Sequence, residues 1–182
     1  MDRQLTAFIG AERLLSGSED EVARAVAALS ADGRQANVHV FDDSNGRPVD
    51  LDLLAIVARH GDVLPRPRGR PKLGVVAREV TLLPRHWEWL ADQPGGASAA
   101  LRRLVDEARK TNVGRDAARR AKEAAYRFLL DMAGDRPGYE DATRALFASD
   151  RPRFDALVAG WPKDVRDYAR RLAAPAFDEE PE

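Results

Sequence analysis

The hydrophobic positions of this chain change their period several times, and each change marks an element. Leu5 to Ile9 is a short apolar run and predicts a strand; Arg13 to Ser16 predicts a second across a Gly10-Ala11 turn. Val22, Val26 and Leu29 then recur at helical spacing. Ser18 stands where an N-cap belongs, Glu21 three positions on completes a capping box, and Gly33 is placed to stop the helix. Asn37 to Phe41 predicts another strand. Asn45-Gly46 predicts a hairpin turn, because both residues tolerate positive φ. After it Val49, Leu51 and Leu53 alternate with Asp50 and Asp52, a half-buried strand with one wet face. The pattern is ββαββ, a small α+β domain over residues 1–58.

From His60 to Leu73 the chain carries Pro65, Pro67 and Pro71 with Gly61 and Gly69, a density of breakers that predicts an extended linker over 59–76. Strand residues return from Val75 to Leu83. Pro84 suits the first position of a helix, where its missing N–H costs nothing, and Trp87, Leu90 and Ala91 form that helix's apolar stripe. Pro94-Gly95-Gly96 breaks it. Ser98 is the expected cap of a second helix, with Leu101, Leu104, Val105 and Ala108 on one face. Residues 77–111 therefore read as a strand-helix-helix unit. Beyond Thr111, residues 112–174 read as all-helical. Ala121, Ala125, Phe128, Leu129 and Met132 stripe a long helix ended by Gly134, and Tyr139 to Ala148 is a short one. Asp150 caps a third with Phe154, Leu157 and Val158, and Pro162 opens the last with Val165, Tyr168, Ala169 and Leu172. The acidic tail, 175–182, is expected to be disordered after Pro175. The expected fold class is α+β, with no internal repeat.

Composition narrows the function. Hydrophobic residues make up 44% of 182, enough for a packed core, and cysteine is absent, so no disulfide or thiolate site exists. No apolar stretch approaches the roughly 18 residues of a membrane helix, and no signal peptide is visible, so a cytoplasmic location is expected. The net charge of −1 hides an asymmetry: residues 1–58 carry 5 basic and 10 acidic side chains, 59–127 carry 16 and 8, and 128–182 carry 8 and 12. A basic middle between acidic ends points to a localised polyanion site.

Within that basic middle, Arg68-Gly69-Arg70-Pro71 has the features that suit a narrow A·T minor groove. Gly69 lets the backbone approach the groove floor, Pro71 keeps the chain extended, and the two arginines lie along strongly negative potential. Arg66 and Lys72 add phosphate contacts. The segment resembles an AT-hook. Residues 77–110 resemble a ribbon-helix-helix domain, on Glu79-Val-Thr-Leu-Leu-Pro84, Trp87, Leu90, the Pro94-Gly-Gly-Ala-Ser98 turn, Leu101, Leu104 and Val105. That resemblance implies a homodimer whose paired strands enter the major groove, with Arg78 and Thr81 on the DNA side. It also implies a phosphate clamp at Gly96, Ala97 and Ser98, and a dimer interface of Val80, Leu82, Trp87, Leu90, Leu101, Leu104 and Val105. The chain departs from the pattern in phase. The positions one, three and five before the helix-starting proline, apolar in that family, are Leu83, Thr81 and Glu79 here, while Val76, Arg78, Val80 and Leu82 form the more apolar set. A one-residue slip turns every side chain over, so either a bulge precedes Pro84 or one residue is lost. With Val80 and Leu82 buried, Ala77, Glu79 and Thr81 face the groove. The whole chain, with its ββαββ start and Gly69-Arg-Pro-Lys-Leu-Gly74 bridge, also resembles a bacterial family of unknown function.

Catalytic constellations are not legible. His39, His60 and His86 fall in a strand, a linker and a helix start, without a second ligand at metal spacing. Asp42-Asp43-Ser44-Asn45-Gly46 fails as a calcium loop because its first ligand position falls on Phe41. Trp87 is expected in the core; Trp89 lies off the stripe. The expectation is a dimeric DNA-binding protein without cofactor or metal, a transcriptional regulator or nucleoid-associated protein favouring A·T-rich DNA, and not an enzyme. The acidic flanks are open to a protein partner. The alternative is a protein-interaction module, antitoxin-like or an adaptor, in which the strand-helix-helix unit only dimerises.

Overall fold

The structure, a computed structural model, describes residues 3–31, 37–51 and 78–178. It is α+β and mostly helical: among the described residues a three-stranded antiparallel sheet accompanies seven α-helices. The strands are β1 (Gln4–Ile9), β2 (Glu12–Ser18) and β3 (Val38–Asp42), in the order β2-β1-β3. Helix α1 (Glu19–Ala31) separates β2 from β3. The later helices are α2 (Pro84–Ala91), α3 (Gly96–Thr111), α4 (Val113–Ala133), α5 (Tyr139–Phe147), α6 (Arg151–Val158) and α7 (Lys163–Ala173), followed by a 3₁₀ turn at Ala174–Ala176. None of the described helices is long and apolar enough to cross a membrane.

The chain divides into two compact units, one of Met1–Gly61 with Gly114–Glu182, the other Asp62–Val113. In the first, β1 is central and buried on both faces, which is why Leu5 to Ile9 shows no polar alternation. Leu5 and Ala7 pack with Val22, Val26 and Val40 on the α1 side. Phe8 and Phe41 join the C-terminal helices on the other. There Phe8, Phe41, Phe128 and Tyr168 make a contiguous aromatic cluster, with ring centroids 4.6 Å apart for Phe128 and Tyr168 and 5.0 Å for Phe41 and Phe128. Such edge and tilted contacts add to the area these large rings bury.

Local signals act as expected at several ends. The Ser18 amide and hydroxyl both donate to Glu21 Oε2 at 2.8 Å, forming the capping box of α1. Asp150 accepts from the Arg153 amide at 3.0 Å and caps α6. Gly33 lies outside the described residues.

Three expectations change. Of the fourth strand, expected over Val49 to Leu53, Asp52 and Leu53 lie outside the described residues; Val49 to Leu51 form no strand, and what stands there is a single bridge between Phe41 and Pro48 and a hydrogen bond from the Val49 amide to Val40 O at 2.7 Å. The Asn45-Gly46 turn is present but of another kind. Only Gly46 takes positive φ (66°), and the turn is organised by Asp42, whose Oδ1 accepts from the Ser44 amide and hydroxyl at 2.8 and 2.6 Å. The chain after Pro175 does not leave the body at once: Ala176 is buried and the Phe177 ring lies 5.6 Å from Phe154.

Candidate functional site

The second unit holds the sequence-derived candidates. Arg66, Arg68, Gly69, Arg70 and Lys72 lie outside the described residues, as do Val75 to Ala77. From Arg78 to Leu83 no strand forms, and neither phase is buried: Val80 is 54% and Leu83 49% exposed, Leu82 half-buried, and Arg78, Glu79 and Thr81 exposed. The physical reason is that a strand needs a neighbour for its ladder hydrogen bonds, and no strand among the described residues pairs with 78–83. Pro84 does open α2, with Leu83 as an extended N-cap whose carbonyl accepts from the His86 and Trp87 amides.

Helices α2 and α3 pack as a hairpin around few side chains. Of the expected interface set, Leu90 is buried, Leu101 half-buried, and Trp87, Leu104 and Val105 exposed. Trp87, expected in the core, is 42% exposed, and Trp89 51%. Two short helices have too little surface to cover an indole as well as Leu90 and Ala100. The cap of α3 also differs. Gly95 and Gly96 both take positive φ (83° and 74°), so the chain reverses within the Pro94-Gly95-Gly96 turn and the helix starts two residues before Ser98. Gly95, not Ser98, is the N-cap. The Gly96 amide donates to Gln93 O at 2.9 Å, which leaves the first-turn amides of Ala97 and Ser98 as the donors a helix start offers to an anion.

A polar centre in the first unit was not anticipated. Thr6 sits in the middle of β1, fully buried, on the same face as Phe8. Its hydroxyl donates to Asp43 Oδ1 at 2.7 Å and pairs with Ser16 Oγ at 2.9 Å. Asp43 Oδ1 also accepts from the Tyr168 hydroxyl at 2.8 Å, while Oδ2 accepts from Arg171 Nη2 at 3.0 Å. The same Arg171 nitrogen donates to Thr6 Oγ1 at 3.1 Å, and its guanidinium lies 4.6 Å over the Tyr168 ring. Burial and the Asp43 carboxylate push the Tyr168 phenol up, only partly offset by Arg171, so Tyr168 remains a neutral donor. Burial of Asp42 would raise its carboxyl, but the Ser44 hydroxyl, the Arg3 guanidinium at 2.7 Å and the Ser44 amide outweigh it and hold the group below the usual carboxylate range. The visible signals were weak: one threonine in an apolar run, and Tyr168 and Arg171 spaced i, i+3 on the last helix.

Beside this centre lies an open cleft of about 500 Å³, whose polar lining is Gln4, Asp43, Ser44, Arg120 and Arg171. Arg120 is exposed and has no ion-pair or hydrogen-bond partner among the described residues. The turn is held against α4 by Arg127 Nη1, which donates to Asn45 O at 3.0 Å.

Fold and sites together define an α+β protein with a small antiparallel sheet, a mainly helical body and a separate helical hairpin. A family model matches residues 4–173, and the chain belongs to that family, described as an uncharacterized protein conserved in bacteria (DUF2239). No curated protein and no solved structure matches it.

Proposed function

We propose that this chain is a self-associating DNA-binding protein, a regulator or nucleoid-associated protein. In this reading the 84–111 hairpin joins two copies, and the basic segment 66–72 holds A·T-rich DNA in the minor groove. The observation that carries the reading is the uncovered apolar surface of the hairpin. Six of the ten large exposed apolar side chains among the described residues, Val80, Leu83, Trp87, Trp89, Leu104 and Val105, fall within 26 residues. A second copy is the occupant the ribbon-helix-helix resemblance implies, and 78–83 has no strand partner among the described residues. The charge distribution supports the DNA half: residues 59–127 carry 16 basic and 8 acidic side chains. The free amides of Ala97 and Ser98 suit a backbone phosphate. The alternative, association without DNA, is favoured by one observation: Glu79 and Thr81 are exposed on a segment that forms no strand, so they present no ordered reading face.

Gel shifts on A·T-rich and G·C-rich duplexes at two salt concentrations, beside sedimentation of the same protein, test both halves. Arg68→Ala with Arg70→Ala should weaken binding to A·T-rich duplex and lower the salt slope by about two phosphate equivalents. Leu104→Asp should split the assembly, since an unpaired charge in an apolar interface is costly. No duplex binding at low salt removes the DNA reading, and a monomer at micromolar concentration removes self-association.

A further inference from the structure

We propose that the cleft bounded by the 43–45 turn, α4 and α7 binds a small, singly charged organic acid with an apolar body. This goes beyond the DNA reading and stands or falls without it, since every residue used lies in the first unit. The charge of the cleft decides the sign of the ligand. Asp43 is neutralised by Arg171, which donates to it at 3.0 Å, and by hydrogen bonds from Thr6 and Tyr168. Arg120, on the same lining, has no partner among the described residues, so the cleft carries one uncompensated positive charge. Arg171 also keeps donors in reserve. Only its Nη2 is engaged among the described residues, and its side chain is 47% exposed. Two guanidinium groups therefore line one space, an arrangement suited to a carboxylate, while the Ser44 hydroxyl is committed to Asp42.

The rest of the lining decides the body of the ligand. Ala117, Ala121, Ala124, Leu172 and Pro175 form an apolar wall. The alanines recur at i, i+4 and i+7 on α4, so one helix face presents methyl groups where larger side chains would fill the space. A cleft of about 500 Å³ falls in the range of small-molecule sites, with apolar walls and few polar groups that fix orientation. A bare doubly charged phosphate fits less well. It exceeds the single uncompensated charge and leaves the apolar wall wet.

The test is NMR titration of the ¹⁵N-labelled full chain with benzoate, with benzyl alcohol as the body without charge, and with inorganic phosphate as charge without body. Benzoate is expected to give saturable shifts at the Ser44, Ala121 and Leu172 amides. Benzyl alcohol and phosphate should each bind about tenfold more weakly. Arg120→Gln, an exposed substitution that leaves the core untouched, should weaken benzoate about tenfold. Ala117→Leu should block it by filling the wall. Absence of saturable shifts at these amides up to roughly 10 mM benzoate overturns the proposal. So does phosphate binding as tightly as benzoate, or Arg120→Gln binding as well as the parent.

Discussion

Replacing Gly46 by alanine should be among the most damaging single-methyl additions in the first unit, and the structure supplies its own control. Gly46 has φ of +66°, and a Cβ built on it would lie 2.0 Å from the Ala124 carbonyl oxygen of α4. Gly10 has a similar φ of +55°, but a Cβ there meets nothing within 4 Å. Left-handed backbone costs an alanine roughly 1–2 kcal/mol at either position, offset in part by about 0.4–1 kcal/mol from a stiffer unfolded chain. Gly10→Ala should therefore destabilise by about 1 kcal/mol. At Gly46 a carbon-to-oxygen separation near 3.3 Å has to be recovered, a displacement of more than about 1 Å. The turn cannot yield cheaply. The Gly46 amide donates to Asp42 O at 2.8 Å, the Asp42 amide to Arg47 O at 2.9 Å, and Arg127 Nη1 holds Asn45 O at 3.0 Å. Overpacking of this kind adds about 1–3 kcal/mol, so the two variants should differ by about 2 kcal/mol. Urea unfolding followed by far-UV circular dichroism reads this directly. At a slope of about 2 kcal/mol per molar, the midpoint of Gly46→Ala should lie about 1 M below that of Gly10→Ala. Equal midpoints would falsify the close approach of the turn to α4.

Two further outcomes follow from the polar centre. Asp42 is held below its ordinary value of 3.8, so its contribution is complete above the unfolded-state pKa and is lost as pH falls through the lower folded-state value; Asp42→Asn should flatten the acid limb of stability below about pH 4. Parallel acid limbs for parent and variant, measured by urea unfolding from pH 7 downward, would contradict the Arg3 and Ser44 contacts. Tyr168→Phe removes one charge-assisted hydrogen bond to Asp43 and should cost about 2 kcal/mol, while a loss under about 0.5 kcal/mol would show that water replaces the hydroxyl.

What could be read from the sequence is what neighbouring residues decide. The Ser18–Glu21 box, the Asp150 cap and the stripe of Val165, Tyr168, Ala169 and Leu172 lie within a few residues of their partners. Each shows in the pattern because the helix period links it to its neighbours. The turn at Gly46 was half legible. Glycine marked the positive φ, but the need for a missing Cβ comes from Ala124, 78 positions away. Asp42-Asp43 was visible only as a failed calcium loop. The residues that give Asp43 its role are Thr6, Tyr168 and Arg171, and the Tyr168 contact spans 125 positions. No periodicity joins them.

The Val80 phase is a different kind of gap. Under the proposed self-association, 78–83 would take its burial from a second copy, so its inward face would not be defined within one copy. The exposure of Val80 and Leu83 alike is what an unpaired segment shows whichever phase is the inward one. The Asp43 centre is closed within one copy. Thr6 from β1, Asp43 from the turn, and Tyr168 and Arg171 from α7 satisfy one another. That closure makes Asp43, paired with Arg171, a charge-compensated part of the cleft lining, and it leaves Arg120 as the charge still to be matched. A buried polar group without a partner would be costly, so Thr6, Asp43 and Tyr168 are held to one another, and the cleft takes its net sign from Arg120, the cation of its described lining that the network does not use.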